Sequence, residues 1–80
     1  MMTDKPYRLR TTDIVPDPWI QDWDEGFCVG WCEHENDAQG FTRDEVKAIL
    51  PEYYYDVIGE YGLVVVRDGV VIPAEFILAR

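Results

Sequence analysis

The chain has 80 residues and a net charge of −9, and aromatic side chains make up 14% of it. This length suits one domain spanning residues 1–80, and the aromatic residues supply enough apolar surface for a core, which argues against a disordered chain. No apolar run reaches the roughly 18 residues of a membrane helix, the first residues lack an apolar signal core, and the two cysteines show no disulfide-type pattern. We therefore expect a cytoplasmic protein without membrane contact.

The first predicted elements are a strand and a short helix. Residues 7–15 contain β-branched side chains and charged residues, which favours a strand at a sheet edge. Residues 17–19 have the sequence Asp-Pro-Trp, in which Asp caps free N–H groups and Pro fits the first helical position. We expect a short helix here that ends before Gly26, with Trp19 and Trp23 on one face.

A second strand and a well-defined helix follow. Alternating side chains predict a strand over residues 27–33. Thr42 and Glu45 have the spacing of a capping box, and the apolar residues that flank them have the spacing of a hydrophobic staple. This pattern predicts a helix over residues 42–50.

The last third of the chain predicts a hairpin. Residues 52–61 fit a helical stripe, although their tyrosines and β-branched residues also suit a strand, and we expect a second helix. Asp-Gly at 68–69 readily adopts the positive φ angles of a type I′ turn, so residues 63–67 and 70–73 should pair, with 74–79 extending the second arm. The predicted fold is a single α+β domain, with an antiparallel sheet of three to four strands and one or two short helices.

Charge is divided unevenly along the chain. No Lys or Arg occurs between Thr11 and Thr42, where eight acidic residues lie, whereas the first ten residues include three basic ones. A field of one sign steers association with a cationic partner and repels nucleic acid, and aromatic residues among the acids resemble the composition of protein interfaces. The candidate partner-binding residues are Asp17, Trp19, Asp22, Trp23, Asp24, Glu25, Glu33, Glu35 and Asp37.

Cys28, Cys32 and His34 form a cluster of soft metal ligands. Structural zinc sites have four ligands, usually in two close pairs, and this segment offers one pair and one histidine. On an extended strand the two cysteines would lie roughly 13 Å apart, which is too far for a shared metal or a disulfide. We interpret them as buried free thiols and expect no cofactor, and a small metal-binding module remains an alternative.

Catalytic motifs are missing from the sequence. It contains no Gly-rich phosphate loop, no G-x-S-x-G elbow and no H-E-x-x-H pair. The carboxylates around the cysteines would also disfavour a reactive thiolate. We therefore expect a binding protein and not an enzyme.

In size, acidity and α+β pattern, the whole chain resembles the small acidic inhibitors that phages and other mobile elements encode, anti-CRISPR and anti-restriction proteins among them. Tyr53 to Tyr55 are similar to the paired tyrosines of nuclease immunity proteins, but those are all-helical and the hairpin at 68–69 contradicts that fold. The resemblance implies a stoichiometric inhibitor that docks on a basic protein surface, such as the nucleic-acid channel of a defence complex, with DNA mimicry as one mode. It would not bind nucleic acid itself. The chain is expected to be a monomer or a homodimer, and an accessory subunit that self-associates through a sheet edge is a further alternative.

Overall fold

The computed structural model describes residues 5–24, 28–55 and 60–79, which form seven strands and two α-helices. The strands are β1 (Tyr7–Thr11), β2 (Trp19–Asp24), β3 (Cys28–Cys32), β4 (Tyr54–Tyr55), β5 (Glu60–Tyr61), β6 (Leu63–Arg67) and β7 (Val70–Ile72). The helices are α1 (Arg43–Ile49) and α2 (Ala74–Leu78). The α+β class is confirmed.

The main sheet has five antiparallel strands in the order β3-β2-β1-β6-β7, and not the three to four that the sequence predicted. Strand β1 lies at its centre, so the expected edge position is wrong. It pairs with β6 along its full length, from Tyr7 opposite Arg67 to Thr11 opposite Leu63. Its charged residues are accommodated because side chains alternate, with Leu9 buried and the arginines on the other face.

Residues 19–24 form strand β2 in place of the expected helix. Trp19 lies opposite Cys32 and Asp24 opposite Cys28, with a register shift between Ile20 and Asp22. Ile20 is fully buried in the core. The local capping signal is overridden because pairing with β3 and burial of Ile20 stabilise the extended backbone more than one helical turn would.

Segment 39–41 forms backbone hydrogen bonds with both β1 and β2 in the region where these two strands no longer pair with each other. Within the described residues, these two strands pair through Arg10 and Trp19. Farther along β2, the Ile20 carbonyl accepts a hydrogen bond from the Gln39 N–H at 2.9 Å. Tyr7 and Phe41 exchange two backbone hydrogen bonds, at 3.1 and 2.8 Å. This segment therefore links both strands to the start of α1.

Helix α1 confirms the capping box. The Thr42 hydroxyl accepts from the Glu45 N–H at 3.1 Å, and the Glu45 carboxylate accepts from the Thr42 N–H at 3.0 Å. Phe41 and Val46 are both fully buried, as expected of a hydrophobic staple. The helix begins where the sequence predicted because these contacts lie within a few residues of one another.

The hairpin is confirmed, but its predicted extension is wrong. Asp68 and Gly69 have φ angles of 52° and 78°, as a type I′ turn requires. After Pro73, residues 74–78 form helix α2, because burying Ile77 against the core turns the chain away from the sheet.

The expected helix over residues 52–61 is also wrong where the structure describes it. A 3₁₀ turn at Leu50–Tyr53 leads into β4, which pairs with β5 as a separate two-stranded sheet. Residues 56–59 lie outside the described residues. Pro51 interrupts the helical hydrogen bonds here, and the strand alternative holds at Tyr54–Tyr55 and Glu60–Tyr61.

One hydrophobic core holds the sheet and both helices together. It is formed by Leu9, Ile20, Phe41, Val46, Ile49, Leu50, Leu63, Val65 and Ile77. Trp23 and Val29 pack against it from neighbouring strands. The core thus fixes β2 and β3 on one side of β1.

Candidate functional site

Carboxylates are concentrated in one continuous part of the chain, residues 12–37. We call β2, β3 and the adjoining segments 12–18 and 33–37 the acidic half, since these elements carry no Lys or Arg. Its described acids are Asp13, Asp17, Asp22, Asp24, Glu33, Glu35 and Asp37. All are exposed except Glu35, which is half-buried. Glu25, also predicted as a binding residue, lies outside the described residues.

Five basic side chains of the described residues have other partners. Those observed are backbone carbonyls for Arg8 and Arg43, aromatic rings for Arg10 and Arg67, and Glu45 for Lys5. Within the described ranges, none of the seven acids forms an ion pair with Lys or Arg, and Glu33 lies 3.9 Å from the His34 ring. Among the described residues, the carboxylates of the acidic half are therefore not neutralised by ion pairs with Lys or Arg.

Asp17 and Asp37 both act electrostatically on Cys32. Burial raises the pKa of the Cys32 thiol, and the charges of Asp37 and then Asp17 raise this pKa further. The two carboxylates are 20 residues apart in the chain, and their common effect on this thiol was not visible in the sequence.

Asp22 and Asp24 lie next to one another on strand β2. They stand opposite Gly30 and Cys28 and alternate with Trp23, which faces the core. Two residues apart on a strand, they point to the same face and are separated by roughly 7 Å.

Glu35 belongs neither with Asp17 and Asp37 nor with Asp22 and Asp24. It borders a cavity of about 420 Å³ with Arg8 and Asp68, beside the hairpin turn of β6 and β7. The predicted binding residues that the structure describes therefore do not converge on a single surface, and Glu35 lies apart from the others, beside the β6–β7 turn.

The three tryptophans have different roles. Trp19 is half-buried, with the Arg10 guanidinium 5.7 Å from its ring centre, and Trp23 packs against the core. Trp31 is 39% exposed and borders a cavity of about 380 Å³, whose lining includes Asp13 and Asp17. The sequence reasoning assigned binding to Trp19 and Trp23, whereas Trp31 is the more accessible ring.

Two apolar residues of the β1–β2 loop are also exposed. Ile14 is fully exposed, and Val15 is 45% exposed and lines the cavity next to Trp31. We call Ile14, Val15 and Trp31 the apolar patch. Sequence reasoning missed it because residues 7–15 read as one continuous strand, whereas β1 ends at Thr11. The sequence feature that could have indicated this patch is the apolar pair Ile14-Val15, which lies between Asp13 and Pro16.

The cysteines and the histidine do not converge. Cys28 and Cys32 occupy the two ends of β3, and Cys32 is a buried free thiol that donates to the His34 carbonyl at 3.4 Å. The His34 side chain is 71% exposed. In the part of the chain that the structure describes, no group of three or more His, Cys, Asp or Glu residues could hold a metal ion. The metal-module alternative gains no support from these residues.

No protein family, curated protein or solved structure matches this chain. Among the described residues, no helix is long and apolar enough to cross a membrane. The function must therefore be argued from the arrangement of charge and exposed apolar surface.

Proposed function

We propose that the protein binds a basic surface of another protein through its acidic half and thereby inhibits or modulates that partner. The partner surface is one that binds nucleic acid, as in a cytoplasmic defence complex, and the mode of action resembles that of anti-CRISPR inhibitors. The protein acts by occupying the surface and not by catalysis.

One observation carries this proposal: six of the seven described acids of the acidic half are exposed, and within the described residues none of the seven forms an ion pair with Lys or Arg. Soluble domains usually mix both signs across their surfaces. A region of one sign attracts a cationic surface over a distance comparable to the Debye length, about 8 Å at physiological salt. Steering of a basic partner is the direct consequence.

The apolar patch supplies binding affinity that the charges alone do not provide. Exposed ion pairs contribute little to affinity, typically up to about 1 kcal/mol each, whereas buried aromatic and aliphatic anchors dominate interface energetics. Ile14, Val15 and Trp31 lie exposed next to Asp13 and Asp17. We expect the patch to form the centre of the contact and the carboxylates to form its charged rim.

Mimicry of nucleic acid is the mode that fits the charges of β2. Duplex DNA carries one negative charge per ~1.7 Å of its axis, and proteins that bind it present Lys and Arg to these phosphates. Asp22 and Asp24 present successive exposed carboxylates from strand β2. A phosphate-binding groove could accept such a ridge in place of a nucleic acid strand.

The test compares two double variants that change the net charge equally. Asp22→Lys with Asp24→Lys reverses charge in the acidic half, and Glu52→Lys with Glu75→Lys reverses two exposed acids outside it. Tagged proteins are used to capture partners from the native cells, and the affinity of each captured protein is measured for both variants across a salt series. Competition with nucleic acid is then measured for the same partner.

We expect the acidic-half variant to lose binding while both variants keep the wild-type melting temperature. Binding of the wild type should weaken steeply with salt, and the protein should displace nucleic acid from its partner. Equal affinity of the two double variants, or binding that is insensitive to salt, would refute the proposal.

A further inference from the structure

A concave site lies where the β1–β2 loop meets strand β3. It has a volume of about 380 Å³, and it is lined by Thr11, Asp13, Val15, Pro16, Asp17 and Trp31. Ligand pockets in proteins have volumes of roughly 300–1,000 Å³, so this one has room for a group the size of a single side chain. We call it the Trp31 pocket.

The loop that forms most of this pocket is fixed at its base. The Thr11 N–H donates a hydrogen bond to the Pro18 carbonyl at 2.8 Å, which closes the loop. The Thr11 hydroxyl accepts a hydrogen bond from the Asp13 N–H at 3.1 Å. Pro16 and Pro18 restrict the backbone further, because each proline ring fixes its own φ angle. A site that is formed before binding loses little conformational entropy when a ligand enters it.

The walls of the Trp31 pocket are partly acidic and partly apolar. Asp13 and Asp17 are exposed carboxylates, whereas Val15 and the Trp31 ring present apolar surface to the same cavity. Within the described ranges, no Lys or Arg lines the cavity, and neither carboxylate forms an ion pair. The pocket therefore combines two negative charges with an aromatic ring and lacks a cation of its own among these residues.

These walls suit a ligand group that is both cationic and planar. A cation over the face of a Trp ring is attracted by the π electrons, and carboxylates bind cations through charge-assisted hydrogen bonds. A guanidinium group makes both contacts at once, because it stacks on the ring while the N–H groups in its plane donate to carboxylates. An ammonium group is a compact, strongly hydrated charge without a stacking face. Arginine is therefore a better ligand for this pocket than lysine.

The protein forms the same type of contact internally. The Arg10 guanidinium lies 5.7 Å from the centre of the Trp19 ring, and the Arg67 guanidinium lies 5.6 Å from the centre of the Tyr7 ring. In the described part of the chain, no Lys or Arg is stacked on Trp31, whose ring is 39% exposed. The third ring is thus open to a cation from another molecule.

We propose that the Trp31 pocket binds one arginine side chain of the basic partner. The guanidinium stacks on Trp31 and accepts no proton, but donates hydrogen bonds to Asp13 and Asp17, while Val15 contacts the methylene groups of the same side chain. The inference rests on the proposed function and names the group of the partner that is recognised. Trp and Arg are both enriched among the residues that contribute most to protein interfaces, which agrees with this pairing.

Short peptides test the pocket without the partner. The arginine peptide acetyl-Gly-Arg-Gly-amide is titrated into the isotope-labelled full chain, and NMR follows the indole N–H of Trp31. The corresponding lysine peptide carries the same charge, and the citrulline peptide has the shape of arginine without its charge. We expect the arginine peptide to bind with a Kd of about 1–10 mM, at least about threefold more tightly than the lysine peptide. The citrulline peptide should not saturate the site up to about 20 mM.

A matched pair of variants locates the contact. Asp17→Asn removes a carboxylate that lines the pocket, and Asp22→Asn removes an exposed carboxylate of the acidic half that does not line it. Both change the net charge equally. Asp17→Asn should weaken binding of the arginine peptide at least about threefold, whereas Asp22→Asn should leave its Kd close to that of the wild type. Trp31→Leu keeps an apolar side chain without the ring and should abolish the preference for arginine over lysine.

The wild-type titrations do not depend on the variants folding. Trp31 that shows no saturable shift with the arginine peptide overturns the inference, and so do equal affinities for the arginine and lysine peptides. Equal losses in the Asp17 and Asp22 variants also overturn it.

The proposed function can fail separately. If the arginine peptide binds in the pocket but the two double variants described above have equal affinity for the captured partner, the proposed function is refuted and the pocket remains an arginine site. If partner binding is lost on reversing Asp22 and Asp24 but the arginine peptide does not bind, only the inference about the pocket is refuted.

Discussion

The backbone N–H of Trp23 donates a hydrogen bond to the side-chain Oε1 of Gln39 at 2.8 Å. This bond joins two residues 16 positions apart and lies on the part of β2 that has moved away from β1. The adjacent backbone bond, from the Gln39 N–H to the Ile20 carbonyl, lies on the same side. Gln39 thus holds in place the strand that carries Asp22 and Asp24.

Replacing Gln39 by Leu should destabilise the fold by about 1–2 kcal/mol, because the partly buried Trp23 N–H loses its acceptor. Gln21→Leu is the control, since it makes the same change at an exposed glutamine of the same strand. Urea unfolding of both variants measures the difference. A Gln39→Leu variant as stable as Gln21→Leu would show that this hydrogen bond does not hold β2.

Replacing Ile14 by Ser should weaken partner binding about tenfold without changing stability. The side chain is fully exposed, so the folded chain loses no packing, whereas a bound partner would lose a buried anchor of about 1.5 kcal/mol. Val70→Ser removes a similar exposed side chain at the opposite edge and should leave partner binding unchanged. Calorimetric titration against the captured partner gives both affinities. Equal losses in the two variants would exclude the apolar patch as the anchor.

The stability of the domain should depend on pH through Glu45. Hydrogen bonds from the Thr42 backbone and side chain, together with the Lys5 charge, lower the pKa of Glu45 below its ordinary value of 4.5. A lowered pKa favours the native state wherever the carboxylate is ionised, so this contribution is complete above pH 4.5 and is lost as the pH falls below it.

Glu45→Gln keeps an oxygen acceptor for the Thr42 N–H but removes the ionisation. We expect its unfolding free energy to change less than that of the wild type as the pH falls from about 6 to 3. Glu52→Gln removes an exposed carboxylate elsewhere, and it measures how the loss of one negative charge by itself changes the pH dependence of stability. Chemical denaturation at each pH gives the three curves. Curves for Glu45→Gln and the wild type that run parallel would contradict the capping role of the carboxylate.

The Cys32 thiol should react slowly with alkylating reagents. Its pKa is raised by burial and by the charges of Asp37 and Asp17, so the thiolate fraction at neutral pH is small. We expect alkylation by iodoacetamide to be at least about tenfold slower in the folded chain than in urea, with peptide mapping to separate Cys32 from Cys28.

Asp37→Asn should accelerate this reaction, because loss of a nearby negative charge lowers the pKa of the thiol. Asp44→Asn, in α1, is the matched control and should leave the rate unchanged. If the Asp37 variant reacts at the wild-type rate, Asp37 does not act on the thiol.

Local signals in the sequence predicted local structure correctly. The Thr42 and Glu45 capping box and the Asp68-Gly69 turn each satisfy their backbone requirements within four residues, so no distant contact is needed to define them. The α+β class followed from the same signals. The segment of acidic residues without Lys or Arg could also be identified from the sequence, because formal charge depends only on residue identity.

Contacts between distant parts of the chain determined the features of the fold that local patterns did not predict. The capping signal at Asp17 and Pro18 was sound as a local pattern, but residues 19–24 became a strand because β3 pairs with them. Strand β1 became central because β6, more than 50 residues later, pairs with its whole length. These choices also determine the candidate site, since they leave Trp31 rather than Trp23 accessible and let the charges of Asp17 and Asp37 act on the same thiol.

Sequence by itself therefore determined the charge of this protein, its two best-defined local motifs and its structural class. The tertiary structure alone decided which strands lie at the centre and edges of the sheet and which aromatic ring is exposed. The physical reason is that capping and turn formation depend on a few neighbouring residues, whereas strand pairing and burial depend on partners whose positions are set only when the whole chain has folded.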